Sequence, residues 1–105
     1  MQEFRIDFRE NAQKALNDIF DRYNELVGID SAVSAVGKIK KAIEHLAYVP
    51  YIGKTCGQRE LDVLGIRQLN CGNYICFYRL KENVVEVVDI IDGRTDYIKR
   101  LLENR

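Results

Sequence analysis

The stretch 65-GIRQLNCGNYICFYRLKENVVEVVDII-91 decides how this chain folds. β-branched and aromatic residues dominate it, and two short polar interruptions cut it into three segments. Gly72-Asn73 and Lys81–Asn83 are turn chemistry, so residues 65–71, 74–80 and 84–91 are predicted to be strands of an antiparallel meander. If Gly72-Asn73 is a two-residue turn, Cys71 pairs with Tyr74, Leu69 with Cys76 and Arg67 with Tyr78, and these six share one face. Ile66, Gln68, Asn70, Ile75, Phe77 and Arg79 then share the other. The first set is the more apolar and is expected to meet the helices. The second mixes amides and an arginine with apolar groups, which suits a partner-binding groove. A plain solvated face would account for its polar members but not for Ile75 and Phe77.

Upstream the period changes. Residues 3–8 alternate strictly, which predicts a strand with Phe4, Ile6 and Phe8 turned inward. Apolar residues then recur at three- and four-residue steps from Ala12 through Ile19 and Tyr23 to Leu26 and Val27, an amphipathic helix ending near Gly28. Asp30 or Ser31 can cap a second helix, with Val33, Val36, Ile39, Ile43, Leu46 and Ala47 inward and Lys38, Lys40 and Lys41 outward. Pro50 closes it. The short link implies an antiparallel helical hairpin. Residues 51–63 lack a period and read as a loop with a helical turn at 58–62, and a short helix is expected over 96–103. The prediction is one α+β domain over residues 1–105, with the hairpin packed on one face of a sheet formed by the N-terminal strand and the meander.

At 105 residues the chain supports one core. Sixteen Lys/Arg cancel sixteen Asp/Glu, so no general cationic field draws it to nucleic acid. The apolar runs are too short to span a bilayer, and the alternating MQEFRIDF is no signal peptide, so a cytoplasmic protein is expected. Three cysteines without a C-x-x-C spacing, beside one histidine, argue against zinc and for free thiols. No metal, cofactor, membrane or small-molecule substrate is expected.

The remaining candidates each have a structural reading. Arg67 falls on the core-leaning face, where an ion pair with Asp96 or Asp89 is expected. His45, near the end of the second helix, could act as a general base, but nothing brings a second acid or base toward it. Tyr48, Tyr51, Tyr74, Tyr78 and Tyr97 could stack on bases, although tyrosines in strands are commonly core residues with a hydrogen-bonded tip. Only Tyr97 has an arginine, Arg94, for company. The junction 89-DIIDGRTDYIKRLL-102 could grip phosphate at a helix start, or be a turn capped by Thr95 or Asp96. Asp92 and Asp96 flank Arg94 and discourage an anion.

The chain resembles the RelE/ParE superfamily of bacterial toxins along nearly its whole length. The likeness lies in the order and spacing of the opening strand, "DIFDRY", "AIEHLAYVPYIGK", "GIRQLNCGNYICFYRL" and "VVEVVDIIDGRTD". Arg67, Leu69, Tyr74, Tyr78, Gly93, Arg94 and Asp96 occupy superfamily positions, and Asp92 stands where many members have histidine. The resemblance implies a type II toxin held by a cognate antitoxin protein. RelE-like members cut mRNA on the ribosome with a basic cluster, whereas ParE-like members poison DNA gyrase and are not nucleases. Here the cationic positions hold Ile66, Gln68, Ile75 and Thr95. Metal-free RNA cleavage needs a base, a charge for the phosphorane and an acid, so this loss implies a ParE-like, non-nucleolytic toxin.

Gln68, Asn70, Ile75, Phe77, Arg79 and Arg94 are then the expected target- or antitoxin-binding groove. The alternative is a ribosome-dependent mRNA endonuclease with a relocated site drawn from Arg94, Tyr97, Arg79 and His45. A third reading is a fold that persists as an inactive remnant or interaction module.

Overall fold

The computed structural model describes residues 3–103. Strand β1 (Arg5–Phe8) leads into helix α1 (Glu10–Leu26) and helix α2 (Ile29–Glu44), which ends in a 3-10 turn at His45–Ala47. A two-residue strand β2 (Lys54–Thr55) and a short helix α3 (Arg59–Val63) follow. The meander of β3 (Arg67–Cys71), β4 (Tyr74–Lys81) and β5 (Val84–Asp92) then runs into helix α4 (Tyr97–Glu103). The sheet order is β1-β5-β4-β3-β2, with β1 parallel to β5 and every other neighbour antiparallel. The α+β architecture predicted from the sequence is the one found.

The hairpin register is also as predicted: Cys71 opposes Tyr74, Leu69 opposes Cys76 and Arg67 opposes Tyr78. Tyr74, Cys76 and Tyr78 are buried with Leu16, Ile19, Ile39 and Ile43, so α1 and α2 cover that face. Several local expectations fail. Gly28 precedes α2 in place of an Asp30 or Ser31 cap, at φ 144, a backbone angle that L side chains rarely adopt. It also donates to Tyr23 O at 3.0 Å, so one residue ends α1 and starts α2. Leu26, Val27 and Val33 fit the helical period yet are exposed, because the hairpin tip carries them away from the buried cluster. The loop 51–63 holds β2 as well as the helical turn, extended to Val63.

The strand β5 is not a plain alternation. Phe77 opposes Asp89 but Tyr78 opposes Val87, so Val88 is an extra residue in a β-bulge. Val87 lies in the cluster under α1 and α2, and Val88 in a second cluster on the opposite face. The bulge also turns Asp89 toward α4, where Arg100 Nε donates to its Oδ2 at 3.1 Å. Asp89 is fully buried, and its Oδ1 also accepts from the Ile90 N–H at 2.8 Å. An unpaired carboxylate there would be costly, so the bulge and α4 specify one another.

Candidate interaction surfaces

The predicted open groove is closed. α3 and α4 lie over it, and Leu61, Ile66, Phe77, Val88, Ile91 and Leu101 form a second buried cluster with Ile75, Tyr97 and Ile98 packed around it. Phe77 is 0% exposed, and its ring sits 5.1 Å from that of Tyr97. Ile75 and Phe77 are therefore core residues, and an apolar residue on the second face meant a second layer of helix. Of the groove set only Asn70 and Arg94 are exposed. Gln68 is half-buried, and its Oε1 has no hydrogen-bond partner among the described residues.

The candidate catalytic residues are dispersed. Arg79 Nε donates to Glu86 Oε1 at 2.8 Å, and Arg9 Nη1 reaches the same oxygen at 2.8 Å. Desolvation pushes the Glu86 carboxyl up, but hydrogen bonds and charge from Arg9 and Arg79 outweigh it and hold it below the usual range. Tyr97 is packed on Phe77. His45 stands on the helical side of the sheet, in a recess with Lys38, Lys41 and Leu69. The sheet separates it from Tyr97.

Arg94 forms a local clamp with Asp92. Its Nε and Nη2 donate to the two carboxylate oxygens at 3.1 and 2.8 Å, and its backbone N–H donates to Oδ1 at 3.0 Å. Thr95 Oγ1 donates to Asp92 O at 2.8 Å, so Thr95 closes the turn. The side-chain and backbone bonds from Arg94 hold the Asp92 carboxyl at about 2. A depressed carboxylate stays charged as pH falls until its own midpoint, so the clamp persists through pH 4 and is lost as pH approaches 2. Carboxyl NMR titration of Asp92 should give that low midpoint, and Arg94→Ala should return it toward 3.8. An unchanged midpoint would refute the clamp.

Arg67 does not pair with Asp96 or Asp89. Its Nη2 donates to the carbonyls of Gly53 at 2.6 Å and Tyr51 at 3.3 Å, with the guanidinium 5.3 Å from the Tyr51 ring centroid. Two carbonyls and an aromatic face replace the expected carboxylate, because residues 50–53 fold back over this end of the sheet. Tyr78 Oη completes the node, donating to Pro50 O at 2.8 Å and accepting from Gly53 N–H at 3.0 Å. Asp89, meanwhile, belongs to Arg100, a partner whose helix position gave no signal in sequence.

The three cysteines are free thiols. Burial, then the charge of Asp62, pushes Cys56 up to about 11, and burial raises Cys71 and Cys76 as well, so none is a thiolate nucleophile near neutrality. Among the described residues no cluster of metal-ligating side chains occurs, and no helix is long and apolar enough to cross a membrane.

Solved structures share this architecture. A chain of the chromosomal ParDE toxin–antitoxin system from P. aeruginosa matches with TM-score 0.73 at 23% identity, over 86% of this chain and 96% of that one. E. coli RelE, as a mutant in the free state, matches with TM-score 0.59 at 16% identity, over 98% and 94%. The RelBE2 toxin–antitoxin complex of Mycobacterium tuberculosis gives 0.60 at 18% identity, over 86% and 98%. The fold is thus the one these three structures share.

Sequence places the chain more finely. The family described as ParE toxin of type II toxin-antitoxin system, parDE, matches residues 6–97. Toxin ParE1 of Mycobacterium tuberculosis is 31% identical over 91 residues, which cover 86% of this chain and 90% of that protein. This chain belongs to the ParE toxin family of type II toxin–antitoxin systems.

Proposed function

We propose that this chain arrests growth by binding a large cellular target, DNA gyrase in first place, and that a cognate antitoxin neutralises it in the cytoplasm. The observation that carries the reading is the state of its cations. Phosphoryl chemistry on RNA needs uncommitted positive charge beside an acid and a base. Of the candidate residues, Arg79 is paired with Glu86 and Arg94 with Asp92, and His45, although it shares its recess with Lys38 and Lys41, is separated by the sheet from Tyr97. Balanced net charge also gives little electrostatic drive toward ribosomal RNA. Family membership supports a toxin, and the ParDE and RelBE2 structures support an antitoxin as partner.

Induced expression, followed by separate readouts of DNA damage and of message cleavage, tests the target. The expected result is a DNA-damage response without codon-spaced cuts, with toxicity retained in His45→Ala and Arg94→Ala. Codon-spaced cuts that disappear in either variant would establish the ribosome-dependent nuclease instead. Expression without any growth defect would leave the fold as an inactive remnant.

A further inference from the structure

Strand β1 is the outermost strand of the sheet, with β5 on one side and no strand on the other. Arg5 N–H donates to Asn83 O at 2.9 Å and Arg9 N–H to Val87 O at 3.0 Å, so the odd-numbered residues direct their backbone groups toward β5. The even-numbered ones direct theirs outward. Ala47 O takes the Phe4 N–H at 2.8 Å, which leaves the N–H groups of Ile6 and Phe8 and the carbonyls of Phe4 and Ile6 along the open edge. Residues 4–8 carry no proline, lysine or bulge to blunt it.

The charge order of 3-EFRIDFR-9 defines what would occupy that edge. An antiparallel copy centred on Ile6 sets Arg5 against Asp7 and Asp7 against Arg5 on the exposed face, at about 4.5 Å between Cα atoms. Moving the register by two residues opposes Arg5 to itself in one direction and Asp7 to itself in the other. An in-register parallel copy does both. Neither charge is spent within the chain, since the ion pairs among the described residues engage other side chains. On the helical face, Phe4, Ile6 and Phe8 are only partly buried against the core. A recess of about 410 Å³ opens beside Phe4 and Ile6 and runs to Ala47 and the exposed Tyr48. In the register centred on Ile6, Phe8 of a second copy faces Phe4 at the mouth of that recess.

We propose that β1 pairs antiparallel with β1 of a second copy of this chain, joining the two sheets into one across a twofold axis at Ile6. Each Ile6 N–H donates to Ile6 O of the other copy, and each Phe8 N–H to the other copy's Phe4 O. Arg5 and Asp7 form reciprocal ion pairs on the exposed face, while Phe4 and Phe8 meet over the recess on the helical one. A twofold contact closes on itself, so pairing stops at the dimer and seals both open edges. The interface lies at the end of the sheet opposite β2 and does not depend on the target or antitoxin readings. A uniformly acidic or basic strand fits less well, because the edge offers one charge of each sign in the order that its own reversal matches.

Sedimentation equilibrium of the full chain alone, over a wide concentration range, tests this. The expected result is a reversible monomer–dimer equilibrium, with hydrogen exchange at the Ile6 and Phe8 amides slowing as the dimer forms. Arg5→Asp and Asp7→Arg should each raise the dimer dissociation constant at least about tenfold, and the two together should restore it to within about threefold, because the swapped charges again face opposites. Both side chains are exposed, so an unchanged melting temperature of the dilute monomer separates lost pairing from lost folding. A chain that stays monomeric throughout overturns the inference. So does a dimer that tolerates both single variants, that the double substitution fails to restore, or whose Ile6 amide exchanges as fast as in the monomer. Slowed Ile6 exchange that requires the antitoxin, with the chain alone monomeric, assigns the edge to the antitoxin and overturns it as well.

Discussion

Phe77→Ala should lower folding stability by about 3–5 kcal/mol, the range for removing a large aromatic from a closed core. Phe77 is 0% exposed, packed against the tilted ring of Tyr97 and clustered with Ile66, Val88, Ile91 and Leu101. Deleting its ring leaves a hole between sheet and α4 that the rigid strand β4 can fill only in part. α4 should loosen with it, because seven residues hold a helix in place only through such packing and the Arg100–Asp89 pair. Denaturant unfolding followed by circular dichroism measures the loss. A change below about 1 kcal/mol, typical of a solvent-facing position, would mean that the second face is an open groove after all.

Gly53→Ala should be nearly as damaging, although it adds a single methyl. A Cβ at Gly53 would collide with Tyr78 Oη and come within 2.7 Å of Gln68 O and 2.8 Å of Tyr78 Cε1. Tyr78 is fully buried and bonded to Pro50, and Gln68 O is strand backbone, so neither can move freely. Overpacking and the loss of the bond from Gly53 to Tyr78 together predict about 3 kcal/mol. Tyr78→Phe removes the colliding oxygen, so Gly53→Ala should cost at least about 0.5 kcal/mol less in that background. Strict additivity in the double-mutant cycle would show that the two residues do not press on each other.

The sequence revealed the fold where one physical signal dominated. Gly72-Asn73 set the register of β3 and β4, and the 3.6-residue period set α1 and α2. It misled where two arrangements satisfy the same pattern. The run Val87-Val88-Asp89-Ile90-Ile91 is apolar on both sides of the sheet, so alternation could not show that Val88 is bulged and Asp89 faces α4. Ile75 and Phe77 are too apolar for a solvated face, and they are covered. The cover was a helix of the same chain, whose short pattern over 97–103 did not declare what it packs on. The position of Arg67 demands a partner, but the partners are the carbonyls of Tyr51 and Gly53, and backbone acceptors leave no mark in a sequence. Leu26 and Val27 are exposed for a related reason. Helical period continues to the hairpin tip, whereas burial stops where the sheet does.

The same limit applies to function. Vacant cationic positions can be read from residues 66, 68, 75 and 95, and the sequence places Asp92 beside Arg94, but the commitment of Arg79 to Glu86 across two strands required three dimensions.

Gel-based supercoiling by purified gyrase in the presence of the purified chain is the most direct measurement of the central claim. Inhibition that rises with toxin concentration and is reversed by the antitoxin is the predicted result. Full supercoiling activity at toxin concentrations that arrest growth in cells would contradict it.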